Sequence, residues 1–214
     1  MFTGIVEEMG TVCAVTRGRH SAVLRVQANR VLEGTRVGDS IAVNGICLTV
    51  TSLSGGTFTA DVMHETLNRS SLARVCVGSR VNLERAMAAD GRFGGHIVAG
   101  HVDGLGTVTD LRRDDNAVWY TVACGPELLR YIVEKGSITV DGVSLTVAAV
   151  SGRDFSVSVI PHTVRQTVLQ ERRRGDCVNL ETDVIGKYVE KLLQAAPEPE
   201  KRPITKEFLT RYGF

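Results

Sequence analysis

The sequence predicts an all-β protein of two small closed barrels in tandem, followed by one amphipathic helix. Three observations carry this reading. A β-branched run, an Asn-Gly or Asp-Gly pair and a second β-branched run occur twice, at residues 41–50 and 138–147. Sliding the chain by 97 positions aligns residues 38–84 with 135–181, with 18 identities in 47 positions. Within each copy, short apolar runs alternate with turn residues, and the chain is rich in glycine (22) and poor in aromatics (5%).

The Asn44-Gly45 and Asp141-Gly142 pairs are the strongest short hairpin signal, because these residues accept the positive φ angles of a type I′ turn. In the first copy, residues 10–15, 21–26, 40–43, 47–53, 57–63 and 79–83 read as strands. Turns at Arg17-Gly18, Gly38-Asp39, Ser54-Gly55-Gly56 and Val77-Gly78 separate them. Six short strands with regular turns favour a closed barrel, which leaves no exposed sheet edge. Short helices are expected at residues 29–32 and, behind Pro126, at 126–132. Residues 67–72 and their counterparts 164–169 read as irregular or helical connections. Upstream, an offset of 96 pairs Gly4-Ile5-Val6 with Gly100-His101-Val102.

The period then changes. Ile185, Tyr188, Val189, Leu192 and Leu193 form one apolar helical stripe, with Asp183 placed to cap its start. That stripe must be buried, either on its own barrel or against other copies of the chain. Pro197, Pro199 and Pro203 break the chain, and Phe208, Leu209 and Tyr212 could dock one further helical turn. The expected domains are 1–90, 91–184, a helix over 185–194 and a tail over 195–214.

A net charge of +1 gives no electrostatic case for nucleic acid or an anionic membrane. Arg172-Arg173-Arg174 read as a solvated turn. No apolar run approaches the length of a membrane span, and no signal peptide is apparent. The five cysteines are widely spaced and odd in number, which argues for reduced thiols in the cytoplasm. Dinucleotide, Walker A, HExxH and GxSxG motifs are missing from the sequence. Gly91 to His96 is glycine-rich but joins the two copies, and His96 and His101 have no companions at metal-ligand spacing. Cys47 and Thr49 share one strand face, as do Ser144 and Thr146; either Cys47 is a small buried hydrophobe and the threonines ordinary strand formers, or each barrel mouth presents matched polar groups to a flat heterocycle.

Four stretches, residues 1–6, 44–50, 94–102 and 141–147, together resemble riboflavin synthase of the α-chain type, over about residues 1–193. The resemblance implies six-stranded Greek-key barrels and a helix that gathers three chains into a homotrimer. It implies that two molecules of 6,7-dimethyl-8-ribityllumazine are dismutated by four-carbon transfer to riboflavin and 5-amino-6-(ribitylamino)uracil. It further implies that no metal or redox cofactor takes part and that the site lies between barrels of neighbouring subunits. Association with lumazine synthase is a further possibility.

Carried over position by position, the resemblance points to Phe2, Ser40, Cys47, His96 and His101 as catalytic. The first half-site is expected to use Gly4, Ile5, Val6, Cys47, Leu48, Thr49, Asp61, Val62, Met63, His64, Glu65, Thr66, Gly100, His101 and Val102. The second is expected to use Lys135, Ser144, Leu145, Thr146, Ile160, Pro161, His162, Thr163, Val164 and Arg165. Because Ser144 stands where the first copy has Cys47, the first barrel is expected to activate its lumazine and the second mainly to bind. His20, His64 and His162 are expected at the surface or rim. His162 and Arg165 depart from the acidic residues common in the family. Two competing classes are a light-emitting antenna that binds lumazine or flavin without turnover, and the flavin barrel of a reductase, which would need a nucleotide-binding partner domain.

Overall fold

The computed structural model describes residues 1–194 and 206–213. Twelve strands form two closed barrels. The first contains β1 (Glu8–Arg17), β2 (Ser21–Gln27), β3 (Ser40–Val43), β4 (Ile46–Ser54), β5 (Thr57–Met63) and β6 (Arg80–Arg85). The second contains β7 (Gly104–Asp114), β8 (Ala117–Ala123), β9 (Ser137–Val140), β10 (Val143–Val150), β11 (Asp154–Val159) and β12 (Cys177–Thr182). The ring order β1-β2-β5-β4-β3-β6 is repeated as β7-β8-β11-β10-β9-β12, with every pairing antiparallel. Bulges recur at equivalent points, after Val12 and Val108 and after Val50 and Val147. They supply the bend that closes a six-stranded ring.

Strand alternation sets each core. In β2 and β5, Ala22, Leu24, Val26, Phe58, Ala60 and Val62 point inward and their neighbours point out. Phe58 and Phe155 are fully buried at equivalent places in the two barrels, each contributing about 1.5–3 kcal/mol.

The connections are more regular in pairs than the sequence indicates. After β5 comes α1 (His64–Arg69) and a 3-10 turn, Ser71–Arg74; after β11 comes α3 (Pro161–Gln166) and a 3-10 turn, Val168–Glu171. Ser70 and Thr167 cap those turns with their hydroxyls. The helix at α2 (Pro126–Leu129) is shorter than expected; Tyr131 and Ile132 continue it only with tighter bonds to the carbonyls of Leu128 and Leu129. Residues 30–32 form a 3-10 turn.

The two hairpins meet back to back. Asn44 and Asp141 have φ of 47° and 48°, and Gly45 and Gly142 of 81° and 79°, as a type I′ turn requires. Asn82 donates to the Asp141 carbonyl and Asn179 to the Asn44 carbonyl, both at 2.9 Å. The same two side chains accept from Val168 and Ser71 at 2.8 and 2.7 Å. The barrels are therefore joined by a buried polar lattice with approximate twofold symmetry. Arg172 belongs to it: its guanidinium lies 2.7 Å from the carboxylate of Asp141, which is fully buried. The reading of Arg172 as a solvated turn residue is thus corrected, because a buried carboxylate requires a partner; Arg173 and Arg174 are exposed.

The chain divides into two compact units, Met1–Val184 and Ile185–Phe214. The second contains most of α4 (Val184–Leu193) and α5 (Lys206–Arg211). The α4 stripe is exposed, with Tyr188 at 66% and Leu192 at 80%. Leu209 and Tyr212 are exposed too; Pro197, Pro199, Pro203 and the Phe208 side chain lie outside the described residues. No described helix is long and apolar enough to cross a membrane.

Candidate functional site

Each barrel mouth is built from its own hairpin and an arm that crosses from elsewhere in the chain. In the first mouth, Cys47 and Thr49 on β4 point outward while Leu48 and Val50 are buried. Ser40 on β3 lies directly opposite Thr49. The N–H of Cys47 donates to the carbonyl of Gly100 at 2.9 Å. Gly100 has φ of 79°, and a Cβ there would stand 2.7 Å from the Cβ of Cys47 and 2.8 Å from the Phe2 ring, so only glycine fits. His101, the next residue, is exposed, and Val102 packs on the first barrel's core.

The second mouth repeats this construction with different polar groups. Ser144 donates its N–H to the carbonyl of Gly4 at 2.8 Å, and Gly4 has φ of 76°. Val6 packs on the core of the second barrel. The half-site expected to hold Gly4, Ile5 and Val6 with Cys47 is therefore regrouped within one chain: Gly4 bonds to Ser144, the backbone bond to Cys47 comes from Gly100, and the N-terminal arm meets Cys47 through Phe2 alone. His96 is likewise parted from His101, with its Nδ1 2.7 Å from the Ser144 hydroxyl.

Two glutamates hold the arms. Glu84 of the first barrel accepts from the N–H of Thr3 at 2.7 Å, the hydroxyl of Thr3 at 2.8 Å and the N–H of Gly4 at 3.0 Å. Glu181 of the second barrel accepts from the N–H groups of Ala99 and Gly100 at 2.6 and 3.0 Å. Each arm is thus tied to one barrel by a carboxylate and to the other by a hairpin N–H. The arms also pair with each other through Phe2 and Val98. Phe2 is fully buried among Ala42, Val98 and Cys47, which makes it a clamp on the arms. Burial pushes the Glu84 carboxyl up, with the bonds from Thr3 and Gly4 pulling it back.

His96 is the electrostatic oddity. It is 8% exposed, and its Nε2 is buried with no hydrogen-bond partner. Burial pulls its pKa below the ordinary imidazole value, opposed by the charge of Asp183. The folded chain therefore favours neutral His96, and the unfolded chain binds the extra proton. This contribution to stability is fully present above pH 6.5 and is lost as pH falls through the folded pKa. Melting temperature should consequently fall more steeply below pH 6.5 in the wild type than in His96→Gln, as thermal scans across pH 5–8 would record.

Lys135 is held with φ of 64°, where the first copy has Gly38 at 97°; both donate their N–H to equivalent carbonyls, of Val147 and Val50. A non-glycine residue in this region costs about 1–2 kcal/mol, and such strain gathers at ligand sites. Lys135→Gly is expected to leave the urea midpoint unchanged or raised, while weakening lumazine binding measured by fluorescence titration. The remaining predicted residues divide between the mouths. Asp61, Val62 and Met63 end β5, with Met63 71% exposed, and His64, Glu65 and Thr66 open α1. His64 stacks edge-on with His20, 5.2 Å between ring centres, in an exposed position. Ile160 and His162 are exposed, Leu145 and Val164 pack on the second core, and Pro161, Val164 and Arg165 line a hollow of about 270 Å³ facing the β7–β8 turn. Thr146, exposed, stands opposite Ser137, and Thr163 is half-buried.

The lumazine-binding domain family model matches residues 3–86 and again 99–183. Along its whole length the chain is 51% identical to riboflavin synthase of Actinobacillus pleuropneumoniae, covering all of both chains. The chain belongs to the riboflavin synthase family. It is also 49% identical to the Bacillus subtilis riboflavin synthase over all of both chains. The Mycobacterium tuberculosis riboflavin synthase is 50% identical, over 92% of this chain and all of the relative. Similarity to these synthases therefore runs into the tail beyond residue 193, further than the motifs alone reach. The solved structure of LumP complexed with 6,7-dimethyl-8-(1'-D-ribityl) lumazine shares the fold, with a TM-score of 0.78 and 24% identity over 85% of this chain and 99% of that one.

Sequence reasoning missed Glu84 and Glu181 as the carboxylates that tie down the arms, and Asn82 and Asn179 as the side chains that join the two hairpins. Their signal was present: they sit in the longest run of identity between the copies, Val81 to Glu84 and Val178 to Glu181. The His96–Ser144 pair had no such signal, since an offset of 96 from His96 points before the first residue.

Proposed function

We propose that the protein dismutates two molecules of 6,7-dimethyl-8-ribityllumazine into riboflavin and 5-amino-6-(D-ribitylamino)uracil, the final step of riboflavin biosynthesis. The full-length identity to riboflavin synthases carries this reading, and two like mouths suit a reaction between two like substrates. One mouth offers a thiol and an exposed imidazole, Cys47 and His101. The other offers a hydroxyl backed by a buried imidazole, Ser144 and His96. Backbone groups of the Gly4 and Gly100 arms read the pteridine edges, and Lys135, Thr49 and Thr146 complete the rims. The C7 methyl of one lumazine is acidic because its anion spreads over the ring. The 2.7 Å His96–Ser144 pair supports the second mouth as the place where that proton is taken up, which reverses the expectation that the first barrel activates its lumazine, while Cys47 faces the molecule in the first mouth. Holding the two rings face to face contributes through proximity, worth up to about 7–11 kcal/mol. Full turnover by Cys47→Ser would exclude a nucleophilic role for the thiol.

The productive site joins the first barrel of one chain to the second barrel of another in a homotrimer. The exposed apolar stripe of α4 supports this, since such a face is covered by a partner in most soluble proteins. Five unpaired cysteines support a reducing, cytoplasmic location. Tyr188→Asp combined with Leu192→Asp should give monomers by light scattering that still bind lumazine but form riboflavin at least about a hundredfold more slowly, the scale on which losing substrate juxtaposition acts. Full turnover in a proven monomer would place the reaction within one chain.

A further inference from the structure

A cavity of about 270 Å³ lies between the two barrels, where neither arm reaches. The first barrel supplies Ser71, Arg74 and Arg80 to its lining, and the second supplies Arg172, Asp176 and Cys177. Among the described residues, only Arg172 of the three guanidinium groups has an ion-pair partner, Asp141. Arg74 and Arg80 have none among the described residues, and Asp176 is the one acid in the lining. Ser71 is 9% exposed, and its hydroxyl is buried without a hydrogen-bond partner, although its N–H is bonded to Asn179 at 2.7 Å. A buried hydroxyl and two arginine forks without ion-pair partners among the described residues gather around one hollow, where they outnumber the single carboxylate, Asp176, which already accepts from the N–H of Arg173. The two copies differ here: the counterparts of Ser71 and Arg74 are Val168 and Glu171. Burial raises the Cys177 thiol, so the cavity is no thiolate site.

We propose that this inter-barrel cavity binds a phosphate group, as inorganic phosphate or as the end of a phosphate monoester, separately from the lumazine mouths. Arginine forks match the tetrahedral oxygens of phosphate in a bidentate manner, and a hydroxyl donor completes the set. An occupant would bridge the first barrel's Ser71–Arg74 turn to Arg172 and the segment that leads into β12 of the second barrel, so it should stiffen their junction.

The test uses the full chain titrated with inorganic phosphate, and separately with glycerol 3-phosphate, against chloride at matched ionic strength. Binding is read by phosphorus NMR line broadening and by melting temperature. The wild type should bind and melt higher with phosphate than with chloride. Arg74→Ala combined with Arg80→Ala, both exposed positions, should weaken binding at least about tenfold, the loss of one charge-assisted bond or more. Ser71→Ala should weaken it without lowering the melting temperature in chloride. Tighter binding of glycerol 3-phosphate would identify a monoester as the ligand, and equal or weaker binding would identify the free ion. Saturating lumazine should leave phosphate binding unchanged. The proposal is overturned if phosphate and chloride act alike, if the double variant binds as the wild type does, or if lumazine displaces phosphate.

Discussion

His96→Ala should lower turnover by about 10²–10⁴-fold, the usual span for losing a proton-transfer group, with lumazine affinity changed only severalfold. The Ser144 hydroxyl can accept a substrate proton only if its own proton has somewhere to go. His96 Nδ1, 2.7 Å away, is the one described side chain bonded to it. Burial keeps that imidazole neutral and able to accept. Its unpartnered Nε2 costs the folded chain about 1–3 kcal/mol, a cost expected of a working group. His96→Ala should therefore also be no less stable at pH 6 than at pH 8. Single-turnover absorbance at saturating lumazine separates the effects: a fall in affinity with an unchanged rate would make His96 a packing residue.

Gly142→Ala should destabilise the chain by at least about 3 kcal/mol, read as a shift of the urea midpoint, adding αL strain to overpacking. Gly142 has φ of +79°, and its added Cβ would lie 2.5 Å from the nitrogen and 2.8 Å from the Cα of Gly45. Both are backbone atoms of the opposing hairpin, so neither can swing aside. Gly34→Ala is the control: its φ is +77° and nothing lies within 4 Å of the new Cβ. It should show the strain alone, about 1–2 kcal/mol. Equal losses in the two variants would mean that the hairpin contact does not hold the barrels together.

The barrels were legible because closure follows from local signals. Strand alternation and Asn44-Gly45 or Asp141-Gly142 fix each ring, and the repeat fixes that there are two. The way the rings are joined was not. Gly45 and Gly142 read as turn residues, and nothing local tells that their backbones also touch. Arg172 read as solvent-facing because its partner, Asp141, lies 31 positions away and is buried. The arms were misplaced for a similar reason. Gly4 and Gly100 are alike in sequence, but which hairpin each meets depends on Glu84 and Glu181, some 80 residues distant. The catalytic candidates were legible only through resemblance, since one Cys, one Ser and two His at irregular spacing spell no motif.

The most direct measurement mixes the purified full chain with 6,7-dimethyl-8-ribityllumazine under anaerobic conditions, with no added cofactor or metal, and follows absorbance. Formation of one riboflavin for every two lumazines consumed is the predicted result. Tight lumazine binding without riboflavin would contradict it and leave an antenna-type binding protein on the same two barrels.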